Sequence, residues 1–399
     1  MSRKIDITSI VMLYYVINIR HMEDAVNNVI GHNIKKAREL ARISQERLAE
    51  MLDISRATLS AIENGHIAID SGKLLTAARA LGRPVSDFFR EEDEALALLY
   101  RAALEEAAPP PARSAFERFC KAYRELEEIV GVADTQLPPP DYSASPGAES
   151  RPDQFAAQVA ASERQRLGFG EHDPIINVFQ LLEEQGVRIF RYPLEHDNVF
   201  GLSAFSLKYG PCILLNSVNT IERQIFSLAH EYGHLLMHRR FYQSAEPASG
   251  LEKEHSMEIM ANKFAANFLV PAAGLRDVFW RDIGQKDIGL QDLVFLKRYF
   301  KVSAQVVLRR LRDVGLVQKQ RADDLAAELE KRAPEKQEFV PLNEDVLRDW
   351  SLVSRFKHLA RKAALEGMVS LGKLAELMNR NVVDAKRQVQ EWRKEVTFA

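Results

Sequence analysis

Five consecutive residues carry the most specific chemistry in the chain: His230, Glu231, Tyr232, Gly233 and His234, inside the apolar-periodic stretch 226–238. A helix turns 100° per residue, so His230 and His234 fall about 40° apart on one face. Two imidazoles so placed can grip a single ion, and two nitrogens with one carboxylate oxygen make a donor set that suits Zn²⁺. Glu231 sits one residue on, too far round to be a natural third ligand. It is placed to take a proton from metal-bound water. Zinc lowers the pKa of that water to about 7, so a nucleophile exists at neutral pH. Gly233 weakens the helix by about 1 kcal/mol relative to Ala and admits close approach of another element. His238 extends the four-residue series but reads as a helix-end residue supporting the site. A longer histidine pattern would need a histidine at 240, where Arg240 stands.

The third ligand must come from a second element. Residues 256–271 read as a helix with Ile259, Phe264, Phe268 and Leu269 inward and Pro271 as its stop. On it Glu258 and Asn262 are i, i+4. Glu258 can ligate, and Asn262 can orient a histidine through its second nitrogen. Glu254 and His255, read as lying just outside the helix start, compete with Glu258. A hydrolytic site also needs an oxyanion donor; Tyr232, Tyr242 and Arg223 are candidates, and the sequence does not choose among them. The strand-like segment 211–216 reads as the sheet edge beside which an extended substrate would add.

A second constellation reads DNA. Ile34, Ala37, Leu40 and Ala41 share helical spacing; Ser44 can cap a helix over 45–52, and Ser55 a helix over 56–63 that Asn64-Gly65 stops. Another amphipathic helix starts near Leu74. Two short helices joined by three or four residues form a helix-turn-helix, whose second helix can enter a major groove. That helix offers Ser55, Arg56, Thr58 and Ser60 to base edges, while Gln45 caps the helix that crosses the backbone. Residues 31–66 hold six basic and five acidic side chains, so attraction to phosphate must come from placement rather than total charge.

Two resemblances follow from these motifs. SerGlnGluArgLeuAla (44–49), SerArgAlaThrLeuSerAlaIleGluAsnGly (55–65) and LeuGlyArgProValSerAspPhePhe (81–89) resemble the Cro/repressor-like (XRE) helix-turn-helix family over about residues 31–90. This implies sequence-specific binding of a double-stranded DNA operator, usually as a homodimer on a palindrome. GlyLeuSer (201–203), CysIleLeuLeuAsnSer (212–217), the stretch 223–238, and Glu-x-x-Ala-Asn-x-Phe-Ala (258–265) with LeuValPro (269–271) resemble the ImmA/IrrE metallopeptidases over about 153–317. This resemblance implies His230, His234 and Glu258 as metal ligands and Glu231 as catalytic acid/base. It implies Zn²⁺ as cofactor, with Mn²⁺ as the alternative, and a protein substrate that is often a repressor. Asn267 departs from the acidic residue the family often carries, and Met260 from a second Glu.

The elements that must position these residues divide on composition. Residues 1–21 are an extension of uncertain role, with Met22 an alternative start to Met1. Residues 22–92 hold the helix-turn-helix domain, and 93–152 a helical segment and a linker rich in Pro, Ser, Gly and Ala over 137–152. Residues 153–317 hold the peptidase domain and 318–399 a helical region without a deciding motif. The linker reads as exposed and as a self-cleavage zone. The fold class expected is mainly α and multidomain: an all-α helix-turn-helix domain, an α+β zincin-like peptidase domain with a small sheet, and a helical C-terminal region. Within 290–316 a helix-turn-helix-like element carries Lys297, Arg298, Lys301, Arg309, Arg310 and Arg312, read as a second nucleic-acid contact or a solvated basic face. Residues 367–379 are again turn-then-helix, read as serving dimerisation or sensing. No internal repeat at a fixed period is evident.

Composition sets the bounds. The chain has 399 residues and net charge −2, which excludes a basic carpet over the whole molecule. Two cysteines, Cys120 and Cys212, exclude a disulfide scaffold and a Cys-only zinc site, and a reducing cytoplasm is the easier fit. The apolar run 10–19 is far short of the roughly 20 residues that span a membrane, and no small-residue cleavage site follows it. The sequence thus predicts a regulator that cuts itself or a partner regulator. The alternative is a transcription factor or antitoxin whose peptidase-like domain senses a ligand or metal without cutting.

Overall fold

The computed structural model describes residues 27, 29–35, 37–38, 43–81, 85, 88, 110–133, 138–143, 151–194, 199–206, 208–239, 251–284, 287–333 and 338–397. The N-terminal extension with Met22, linker residues 144–150, Arg240 and Tyr242 lie outside these. The chain divides into two compact units, 1–94 and 95–399. The fold is mainly helical with one small sheet.

The first unit has helical backbone at 29–35, then α1 (Gln45–Met51), α2 (Arg56–Glu63) and α3 (Ser71–Ala80). Ser44, Ser55 and Asp70 each accept the backbone N–H three residues on, at 3.2, 3.0 and 2.9 Å, which satisfies a donor that the helix start leaves open. Between α1 and α2, Asp53 turns the chain with φ 51°. Ile34, Leu48, Leu59 and Ala77 are fully buried together.

The second unit runs α4 (Pro110–Val130), α5 (Pro152–Arg166), α6 (Val178–Glu184), β1 (Arg188–Tyr192), β2 (Gly201–Ser206), β3 (Gly210–Asn216), α7 (Ile221–Met237) and α8 (Leu251–Leu269). There follow α9 (Ala272–Val278), a π-helical turn at Phe279–Ile283, α10 (Leu290–Phe300), α11 (Ala304–Asp313) and α12 (Lys319–Arg332). The chain closes with α13 (Asp345–Val353), α14 (Arg355–Leu365), α15 (Leu371–Leu377) and α16 (Val382–Thr397). The sheet order is β1-β3-β2, with β1 parallel and β2 antiparallel to β3.

Both faces of this sheet are buried, in two different cores. Ile189, Phe205, Ile213 and Leu215 join α5–α8. Phe190, Leu202, Ala204, Cys212 and Leu214 alternate with them and join α4 and α14–α16, as the two-residue period of a strand dictates. The sequence divides 93–152 and 318–399 from the peptidase region; in the fold, α4 and α14–α16 cover the second face of its sheet.

Several sequence expectations need correction here. The segment 211–216 is the central strand, so it offers no edge; β2 is the edge strand beside α7, an order that a strand's own residues cannot reveal. Helix α8 begins at Leu251, so Glu254 and His255 lie within it. Linker residues 138–143 are not an open loop: Arg239 donates to Pro139 O at 2.7 Å, and Tyr142 N–H bonds Leu236 O at 2.8 Å. Lys297 and Arg310 belong to no basic face. Lys297 is fully buried against Glu222 and Glu338 at 3.0 and 3.1 Å. Arg310 donates to Val270 O and Asn267 Oδ1, both at 3.0 Å.

Candidate metal centre and DNA-facing helix

Helices α7 and α8 bring the predicted ligands together. Gly233 lets them approach: a Cβ built there would lie 2.9 Å from Phe264 Cδ1. Above this contact, His230 Nε2 lies 3.1 Å from His234 Nε2 and 3.1 Å from Glu258 Oε2, and His234 Nε2 lies 3.3 Å from Glu258 Oε1. All the donor atoms lie within 4.8 Å of one another. Two imidazole nitrogens and a carboxylate this close together are a donor set that suits zinc. His234 is fully buried, while the Glu258 side chain is 45% exposed, so the site opens on the Glu258 side.

The far nitrogens of both imidazoles are also engaged. His230 Nδ1 lies 3.1 Å from Asn262 Oδ1, and His234 Nδ1 lies 2.8 Å from Nδ1 of His238, the residue that ends α7. Partners of this kind fix ring orientation and ligand basicity. The residues present therefore fit a divalent metal, with a His/Glu donor set.

Glu231 is buried beneath the edge strand. Ser203 Oγ donates to its Oε2, and Gly201 is so close that a Cβ there would sit 3.1 Å from Glu231 Cγ. The sequence assigned no role to Ser203; its signal was the GlyLeuSer motif. Of the oxyanion candidates, Tyr232 is excluded. It is fully buried, and its hydroxyl donates to Glu163 at 2.5 Å. Burial first, then the Glu163 charge, pushes its pKa well up. Arg223 is exposed and stacks on the Phe200 ring, 4.7 Å from guanidinium carbon to centroid. It lies seven residues before His230, on the same helix face. Beside Asn262 a cavity of about 230 Å³ is lined by Phe226, Ile259, Ala266 and Val306, with Lys263, Arg309, Arg310 and Asp313 as its charged residues.

In the first unit, Ser55 and Arg56 stand exposed at the start of α2, with Thr58 and Ser60 half-buried. Ser55 spends its hydroxyl on the cap and lies 2.8 Å from Thr58 Oγ1. Ser44, not Gln45, caps α1. Gln45 instead accepts from Arg56 at 3.3 Å and donates to Glu63 at 2.9 Å, tying the first positions of the two helices together. Beneath them lies the buried pair Arg38–Glu63 at 2.7 Å.

The two units thus define a protein that joins an XRE-type helix-turn-helix to a metallopeptidase-like domain. Residues 34–88 match the helix-turn-helix family HTH_3, and residues 182–312 match the IrrE N-terminal-like domain, Peptidase_M78. A comparison with curated proteins finds no match. Among solved structures, the apo form of the competence regulator ComR from Streptococcus vestibularis is similar at 13% identity, covering 82% of this chain and 99% of that one, with a TM-score of 0.16. No helix among the described residues is long and apolar enough to cross a membrane.

Proposed function

We propose that this protein is a DNA-binding regulator that hydrolyses a peptide bond, in a partner regulator or in itself, by metal-activated water. The observation that carries the reading is the convergence of His230, His234 and Glu258 with Glu231 buried beside them. In this reading the three ligands hold Zn²⁺, with Mn²⁺ the alternative, and Glu231 takes the proton of the attacking water. Ser203 orients the Glu231 carboxylate. The substrate chain lies antiparallel to β2, and the cavity beside Asn262 receives one of its side chains. Arg56 with Thr58 and Ser60 faces the operator in a homodimer, acting in the cytoplasm. A sensor that never cuts has no need of the Glu231 carboxylate; that favours the enzyme over a transcription factor or antitoxin of the sensing kind.

The test is intact-mass analysis of the wild-type protein and Glu231→Gln. Each is stripped of metal, reloaded with Zn²⁺ or Mn²⁺, and incubated with proteins encoded by neighbouring genes. Metal-dependent fragments from the wild type alone support the enzyme. Fragments appearing equally with Glu231→Gln would refute the assigned base. Regulation unchanged by that substitution would favour the sensor.

A further inference from the structure

Three residues with left-handed backbone stand between paired helices: Asp53 (φ 51°), Lys301 (φ 58°) and Asn379 (φ 50°). Side chains other than glycine rarely adopt this conformation, so its recurrence marks a shared way of turning the chain. The first and third cases share far more. Adding 326 to each number lays residues 30–64 on 356–390 without a gap. The left-handed Asp53 falls on the left-handed Asn379. The caps coincide: Ser44 on Ser370, each accepting the N–H three residues on at 3.2 and 3.1 Å, and Ser55 on Asn381, accepting at 3.0 and 2.8 Å. The core coincides too. Ile34 with Ala360, Leu48 with Leu374, and Leu59 with Ala385 are fully buried in both. Seven of the 35 aligned residues are identical, among them Leu374-Ala375-Glu376 with Leu48-Ala49-Glu50. The buried ion pair Arg38–Glu63 becomes the apolar pair Ala364 and Val389.

We propose that α14–α16 form a second DNA-reading unit, with α16 as the helix that enters a major groove. What α16 leaves in solvent supports this. Val382, Val383, Lys386, Arg387 and Gln390 are exposed, and their spacing puts them on one face. They stand where Arg56, Ala57, Ser60, Ala61 and Asn64 stand in α2, the positions that reach base edges in a helix-turn-helix. Val382 and Val383 are 52% and 69% exposed; a thymine methyl in the major groove is a fitting apolar partner. Lys386 makes no ion pair among the described residues. Arg387 pairs with Asp384 at 3.3 Å, both exposed, a contact of little worth in water. Residues 355–397 carry ten basic and five acidic side chains in a chain whose net charge is −2, so this segment offers the phosphate backbone a local positive field.

The 290–313 element turns in the same way, but the start of its second helix is covered. Ala304 is buried, and its N–H is donated to Glu338 at 3.1 Å. Its Lys297 and Arg310 face inward, as described above. The proposal rests on neither that element nor the metal centre.

The experiment uses the full chain and a fluorescent 60-base-pair duplex pool of random sequence, with affinity followed against salt by anisotropy. The parent is Arg56→Ala/Ser60→Ala, in which the first unit's reading helix is weakened. The parent should still bind the pool. Adding Lys386→Ala and Arg387→Ala should lower affinity at least tenfold and reduce the slope of log affinity against log salt by about 2. Both side chains are exposed, so helical signal and melting temperature should stay as in the parent. Val383→Ser is a second probe: it should flatten the sequence preference of selected duplexes and leave the salt slope as it was. Failure of the parent to bind, or an unchanged affinity and slope without Lys386 and Arg387, would overturn the proposal. A change of oligomeric state with DNA affinity unchanged would overturn it too, and would assign the face to a second copy of the chain.

Discussion

Asn262→Ala isolates the metal centre from any question of substrate. Asn262 is exposed and touches the site through His230 Nδ1 at 3.1 Å, so its loss leaves the core and all three candidate ligands in place. Removing a partner that orients a ligating histidine typically weakens metal affinity 10–100-fold. The consequence can be worked through mass action. With free metal at 100 times the wild-type dissociation constant, binding stabilises the wild type by about 2.7 kcal/mol. The variant then sits at ten times or one times its own constant and gains only about 1.4 or 0.4 kcal/mol. At roughly 2–4 °C per kcal/mol, wild type should melt about 5–11 °C higher with metal and Asn262→Ala about 1–6 °C higher. Melting curves taken with Zn²⁺ and with chelator read this difference directly. An equal gain in both proteins would refute the orienting role of Asn262. An equal gain in His230→Ala would refute the ligand set itself.

Three further outcomes follow from packing and charge. Gly233→Val places methyl groups against Phe264, already 2.9 Å from a bare Cβ; it should cost about 1–3 kcal/mol, read as a lower urea midpoint at unchanged slope. Lys297→Met leaves Glu222 buried without its cation and should cost about 3–5 kcal/mol. Adding Glu222→Gln should recover part of that, and a double variant as unstable as the single would refute the charge argument. Tyr232 is held neutral by burial and by Glu163, whereas in an unfolded chain the phenol ionises near pH 10. Its folded pKa is the higher one, so its contribution is complete below pH 10 and is lost as pH rises toward the folded value. Tyr232→Phe should therefore make the alkaline fall in denaturation midpoint shallower, and an unchanged fall would count against this account.

What the sequence made legible was local. Helix α2 spans the expected residues because its signals, Ser55 before and Asn64-Gly65 after, lie in the helix itself. His230 and His234 face one point because their spacing is a property of one helix. Gly233 foretold a close neighbour but not that the neighbour would be Phe264. Long-range placement was hidden. The rank of β3 in the sheet depends on which strands pair with it. The inward turn of Tyr232 depends on Glu163, and the burial of Lys297 on Glu222 and Glu338. Ser203 looked like part of a strand motif until the edge strand was laid across α7. The early start of α8 was missed because Glu254 and His255 are polar and carry no apolar period.

The two-faced sheet has a consequence for anyone who would isolate the metallopeptidase-like module. Residues 182–312 contain all three strands, the ligands and Glu231, yet they supply cover for only one side. Phe190, Leu202 and Leu214 look the other way, toward helices drawn from 110–130 and 355–397. A piece excised at the limits of sequence similarity would carry a bare apolar wall and an unprotected edge strand, the combination that drives aggregation. The metallopeptidase-like fold is thus spread over nearly three hundred residues, and its candidate metal centre depends for its packing on the tail that follows it.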